Sequence, residues 1–135
     1  MVLLIDTNIV LDVLLNRPGF VKDSSMIWKL CETEQAKGYI STLTYANMMY
    51  VMRKQLTPEQ IEEVFRKLNL IFEFADFSPA VLERAVNMKW KDFGDAVQSA
   101  TAESVHADYI ITRNLKDFTQ SRVMAFTPTE LLARI

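Results

Sequence analysis

Two short runs of the chain are apolar without interruption, and each stops abruptly at polar residues. Val2–Ile5 runs into Asp6-Thr7-Asn8, and the apolar centre of Asp108–Asn114 runs into Thr112-Arg113-Asn114. Such runs predict strands buried on both faces, as in a parallel sheet covered by helices. Elsewhere the apolar positions recur at helical spacing. They predict a helix over Asn8–Asn16 that stops at Arg17-Pro18-Gly19. A second runs from about Val21 to Lys37, starting near Asp23-Ser24-Ser25, with Ile27, Trp28, Leu30 and Cys31 facing inward and Gly38 closing it as a C′ residue. Tyr39–Ser41 reads as a short strand. Thr42 or Thr44 caps a helix to about Gln55, and Thr57-Pro58-Glu59 opens the next with proline at its first position. "LIFEFAD" has strand composition. Ser78-Pro79 begins a helix to Met88, and Asp92 begins another to about Val105. Val123–Phe126 reads as a last strand, followed by a Thr127-Pro128 cap and a terminal helix. Strands alternating with helices imply right-handed crossovers, hence a single α/β domain over residues 1–135 with a mostly parallel central sheet flanked by helices.

Composition adds bounds. A chain of 135 residues, half of them apolar and 24% charged, can bury a real core. Three glycines and four prolines leave little linker. The net charge of −2 does not advertise a polyanion partner, although a local basic patch would suffice for one. The single cysteine, Cys31, lies in a helical pattern and cannot form an intramolecular disulfide, which fits the reducing cytoplasm. The first apolar run is too short for a membrane span and lacks a basic lead, so neither a signal peptide nor a transmembrane segment is expected.

The chemistry concentrates in "LLIDTN", "WKDFGDAVQSA" and "IITRNLKDF", each with a carboxylate at a strand end or helix start. The carboxyl ends of parallel strands are where open α/β sheets bind ligands. Asp6 also reads as a helix cap, and Asp92 with Asp95 as an N-cap and a dipole-compensating first-turn acid. Brought together, however, such carboxylates repel, and a cation is the usual relief. Oxygen-only ligands suit Mg²⁺ or Mn²⁺, which assist hydrolysis of phosphodiesters. No Gly-rich phosphate loop is present, Asn8 replaces the second Asp of a haloacid-dehalogenase-type phosphatase, and the acidic pair of a receiver domain is missing.

The segments "LLIDTNIVLD", "ISTLTYANMMYVMRK", "KDFGDAVQSATA", "ADYIITRNLKDF" and "TPTELL", in this order, resemble the PIN domain, the nuclease fold of many toxin–antitoxin toxins of the VapC type. The resemblance implies divalent-metal ligation and RNA hydrolysis by Asp6, Asp95 and Asp117, with Asp92, Thr112 and Asn114 in support. It also implies an antitoxin partner and a homodimer, for which the Met-rich stretch Tyr45–Met52 and "NIVLDVLL" offer apolar faces. One position departs from the family pattern: Asn47 stands where a Glu is usual, offering a carbonyl oxygen but no charge. Gly94 likewise stands where an acid is common. Two readings follow. One is a Mg²⁺- or Mn²⁺-dependent endoribonuclease that cuts single-stranded RNA with metal-activated water, since no Cys or His nucleophile is arranged for covalent catalysis. The other is a PIN-fold module that binds RNA or protein without cutting. Lys89, Lys91, Arg113, Lys116 and Arg122 flank the acidic motifs and suit a phosphate backbone. Trp90 reads as a buried anchor or a base-stacking surface, and His106 as a helix-end or surface residue.

Overall fold

The computed structural model describes all residues, Met1–Ile135. Five strands form one sheet in the order β3-β2-β1-β4-β5, and every pairing is parallel. The strands are β1 (Val2–Ile5), β2 (Lys37–Ser41), β3 (Glu73–Ala75), β4 (Tyr109–Ile111) and β5 (Met124–Phe126). The helices are α1 (Thr7–Leu14), α2 (Val21–Glu32), α3 (Thr42–Met52), α4 (Pro58–Ile71), α5 (Pro79–Met88), α6 (Phe93–Ser104) and α7 (Pro128–Arg134). A 3₁₀ turn, Leu115–Phe118, links β4 to β5.

The two unbroken apolar runs are the central strands. Leu3, Leu4, Ile5, Ile110 and Ile111 are completely buried, because helices cover both faces of the sheet. The larger core joins β1 and β2 to α1, α2 and α3 through Ile9, Ile27, Ile40 and Met48, while Val81, Ala85, Ala96 and Val97 pack α5 on α6. The chain builds outward from β1 through β2 to β3, then crosses back to lay β4 on the other side of β1. The crevice at that reversal lies outside the carboxyl ends of β1 and β4. There the Asp6 N–H donates to the Ile111 carbonyl at 2.9 Å, so Asp6 and Thr112 leave the sheet side by side.

Several element boundaries differ from the sequence expectation. α1 starts at Thr7 and stops at Leu14, with Asn16 in the left-handed region. α2 starts at Val21 and stops at Glu32, and the left-handed residue after it is Glu34 rather than Gly38. Gly38 lies within β2, and its lack of a side chain serves close packing: a Cβ there would stand 2.6 Å from Cys31 Sγ and 2.8 Å from a Phe72 ring carbon. The cap of α3 is Ser41, whose hydroxyl accepts the Leu43 N–H, not Thr42 or Thr44. "LIFEFAD" is divided, since Leu70 and Ile71 complete α4 and only Glu73–Ala75 pair as a strand. Thr57, Ser78, Asp92 and Thr127 cap their helices as their sequence context predicts. Cys31 is core, and burial pushes its thiol up to about 12, so it is unreactive. No helix is long and apolar enough to cross a membrane.

Candidate functional site

Asp6 answers to local structure and to distant residues at once. Its Oδ1 accepts the Thr7 N–H at 2.8 Å, which caps α1. The same oxygen accepts the Gln98 amide at 3.2 Å, and Oδ2 accepts the Thr112 hydroxyl at 2.7 Å. Gln98 also donates to Thr44 Oγ1 at 2.7 Å, and Thr44 receives the Thr7 hydroxyl at 3.3 Å. The Thr112 hydroxyl in turn accepts the Asn114 N–H at 3.1 Å. The Asp6 carboxylate, 8% exposed, is therefore held by donors from α1, α6 and the end of β4. Its Oδ2 keeps acceptor capacity for a further ligand.

Asp95 stands in the first turn of α6, and its N–H donates to Asp92 Oδ1 at 2.9 Å. Burial, then the nearby carboxylates of Asp92, Asp117 and Asp6, push its carboxyl up to about 6. Beyond burial, α6, the 3₁₀ turn and the β1 end bring three other carboxylates into electrostatic range of Asp95. Asp117 is exposed in the turn, and with Asp92, Asp95, Lys91, Lys116 and Trp90 it lines a cleft of about 570 Å³. Asp95 also borders a smaller hollow of about 140 Å³ with Asp6, Asn47, Gly94 and Gln98. Asn47 is exposed on α3 yet reaches that hollow, so the residue at the unusual position does face Asp6.

The remaining expected residues divide. Thr112 is wholly buried as the hydroxyl donor to Asp6, and Asp92 caps α6. Asn114 reaches the Asp6 network through its backbone, while its side chain lines a separate hollow beside Arg113. Of the flanking basic residues only Lys91 and Lys116 line the carboxylate cleft. Arg113 is instead committed to the buried Asp12 carboxylate at 3.2 Å, Lys89 ends α5 in a left-handed conformation, and Arg122 borders another hollow. Trp90 is half-buried and packs edge-on against Phe118, with centroids 6.1 Å apart. His106 is exposed just beyond α6.

The donor set fits a hard divalent cation. It offers carboxylate and amide oxygens, and the buried Gln98 Oε1 has no hydrogen-bond partner. No three acidic, histidine or cysteine side chains are already closed into a cage.

The family profile of the PIN domain matches residues 2–116. The chain belongs to the PIN domain family. No curated protein matches it in sequence. Among solved structures, this PIN domain is similar to a toxin–antitoxin complex from Klebsiella pneumoniae, with 27% identity, a TM-score of 0.69, and coverage of 93% of this chain and 96% of that one. It shares its fold with VapBC2 from Rickettsia felis bound to a promoter DNA fragment, at 18% identity, TM-score 0.74 and coverage of 94% and 98%. VapBC-1 from nontypeable Haemophilus influenzae is also alike in fold, at 19% identity, TM-score 0.72 and coverage of 96% and 99%.

Within this PIN domain, Gln98 and Asp12 are the residues that the sequence reading passed over, and Thr44 was read only as a helix cap. Gln98 carried a usable signal, since it follows Asp95 by one helical turn and interrupts an otherwise small and apolar stretch. Thr44 and Asp12 carried none, because their partners lie on other elements.

Proposed function

We propose that this PIN domain is a Mg²⁺- or Mn²⁺-dependent endoribonuclease that hydrolyses single-stranded RNA, acting as the toxin of a toxin–antitoxin pair in the cytoplasm. The observation that carries this reading is the convergence of Asp6, Asp92, Asp95 and Asp117 at the carboxyl ends of β1 and β4, where burial and then the neighbouring carboxylates push Asp95 up to about 6. Asp6, Asp95 and Asp117 would hold the cation, with the amide oxygens of Asn47 and Gln98 beside them. When bound, a divalent cation supplies Lewis-acid polarisation of the scissile phosphate and eases deprotonation of water.

The chain's own residues do the rest. Thr7, Gln98 and Thr112 fix the Asp6 carboxylate in one orientation, so no reorganisation is needed as substrate enters. Lys91 and Lys116 set positive charge on the margin of the acidic cleft, which draws in the phosphate backbone that the carboxylates alone would repel. Asp117, exposed beside them, orients the attacking water. Attack by water rather than by a side chain accords with the inert Cys31 and the outlying His106.

An antitoxin partner is supported by the Klebsiella complex, and exposed Tyr50, Val51 and Leu70 on α3 and α4 offer apolar surface for it or for a homodimer. The second reading, a PIN module that binds without cutting, draws on Asn47, which faces the Asp6 hollow and brings no charge. Cleavage of a single-stranded RNA pool with Mg²⁺, with EDTA, and by Asp95→Asn separates the two. Mg²⁺-dependent cleavage lowered at least a hundredfold by Asp95→Asn is expected. RNA binding without cleavage at any divalent concentration would establish the second reading, and cleavage surviving EDTA would overturn the metal.

A further inference from the structure

We propose that the hollow beside the Phe20–Arg113 stack is a nucleobase subsite for the RNA strand, a proposal that rests on the ribonuclease reading above. Phe20 is 44% exposed and belongs to none of the core clusters, so hydrophobic burial does not explain its ring. One of its faces is covered by the Arg113 guanidinium, 3.9 Å from the ring centroid. Arg113 is itself anchored from beneath: it pairs at 3.2 Å with Asp12, which is completely buried and also holds Arg17 at 3.5 Å and the Ser24 hydroxyl at 3.0 Å. A buried ion pair thus keeps a planar cation against an aromatic ring whose remaining surface stays exposed. Rings presented in this way stack bases in single-stranded nucleic acids.

The hollow, about 380 Å³, is lined by Phe20, Asp23, Arg113, Asn114 and Thr129 among others. It opens where β4 and β5 end, and it shares the Thr112–Asn114 segment with the Asp6 network. A strand whose phosphate lies at Asp6 would run toward Phe20 along that shared segment. The charges choose a base over a phosphate. Arg113 is held to Asp12, a carboxylate it shares with Arg17, and Asp23 is the lining carboxylate, which repels an anion. Asp23 Oδ2 accepts the Thr129 hydroxyl at 2.5 Å, leaving its other oxygen to accept from a ligand. Uracil can offer its N3–H there as adenine offers its amino group, but the larger adenine ring covers more of the Phe20 face, so the subsite prefers adenine to uracil.

Fluorescence anisotropy with labelled hexaadenylate and hexauridylate, on the full chain in EDTA, tests the subsite apart from cleavage. Wild type is expected to bind hexaadenylate more tightly. Phe20→Leu keeps apolar bulk but loses the aromatic face, and weakens that binding about tenfold, the scale of one lost base stack. Phe20→Tyr keeps it. Unchanged hexaadenylate affinity in a Phe20→Leu protein with a normal melting temperature overturns the proposal. So does a Phe20→Leu change in sedimentation without a change in RNA binding, which would assign the ring to a protein contact. Phe20-dependent binding without Mg²⁺-dependent cleavage keeps the subsite and removes the ribonuclease reading. Cleavage with Phe20-independent binding does the reverse.

Discussion

Replacing Thr112 by valine keeps the shape of a completely buried side chain and deletes one hydroxyl. That hydroxyl donates to Asp6 Oδ2 at 2.7 Å and accepts the Asn114 N–H at 3.1 Å. A hydrogen bond to a charged group contributes about 1.5–3 kcal/mol, and here no water replaces the donor easily. The half-exposed Asn114 N–H can turn to solvent and adds at most about 1 kcal/mol. Thr112→Val should therefore cost about 2–4 kcal/mol. For a domain of ordinary stability that leaves a folded protein melting roughly 10 °C lower. Thr112→Ser supplies the control: it retains both hydrogen bonds and loses one buried methyl, about 1 kcal/mol. Urea denaturation of the three proteins at pH 7, followed by circular dichroism, gives the comparison directly. If Thr112→Ser proves the less stable of the two, methyl packing and not the Asp6 bond accounts for this residue, and the case for a fixed Asp6 carboxylate fails.

Two further outcomes follow from the carboxylate cluster. The folded chain holds the Asp95 proton up to about pH 6, whereas an unperturbed Asp releases it near 3.8. This group's stabilising contribution is thus complete below about pH 3.8 and is lost as pH rises through 6. In EDTA, Asp95→Asn and wild type should melt together near pH 4, with the variant gaining its advantage between about pH 4 and 6 and keeping it unchanged above that. Scanning calorimetry showing a pH-independent difference would contradict the shift. Asn47→Glu places a third acid beside the hollow that Asp6, Asp95 and Gln98 share, so it should lower the metal-free melting temperature and tighten Mg²⁺ about tenfold by titration calorimetry. An unchanged Mg²⁺ affinity would detach Asn47 from the site.

What the sequence disclosed depended on range. The strands Val2–Ile5 and Tyr109–Ile111 and the caps at Thr57, Ser78, Asp92 and Thr127 are local patterns, and they were legible. The role of Gly38 was not, because a glycine after a helix reads as a C-cap until the Cys31 and Phe72 side chains are seen against it. The α4–β3 boundary was missed for a related reason: Leu70, Ile71 and Phe72 suit either state, and α4 takes the first two. In the site, Asp6, Asp95 and Asp117 stood out as carboxylates at strand ends and helix starts. Arg113 looked available for phosphate, since nothing in "NIVLDVLL" indicates that Asp12 is buried and pairs with it.

The position of β1 has a consequence for the order in which the molecule forms. Leu3 is bridged on one side to Gly38 and on the other to Tyr109. Closing the second pairing encircles roughly three times as much chain and costs about 1 kcal/mol more in loop entropy. The β1–β2 half can therefore condense while a polypeptide is still leaving the ribosome, but Asp6 waits for Thr112 and Asp117. A nascent chain cut short before residue 109 has three of the five strands and lacks both Thr112 and Asp117. Whatever chemistry the completed Asp6 network supports is thereby withheld from unfinished copies.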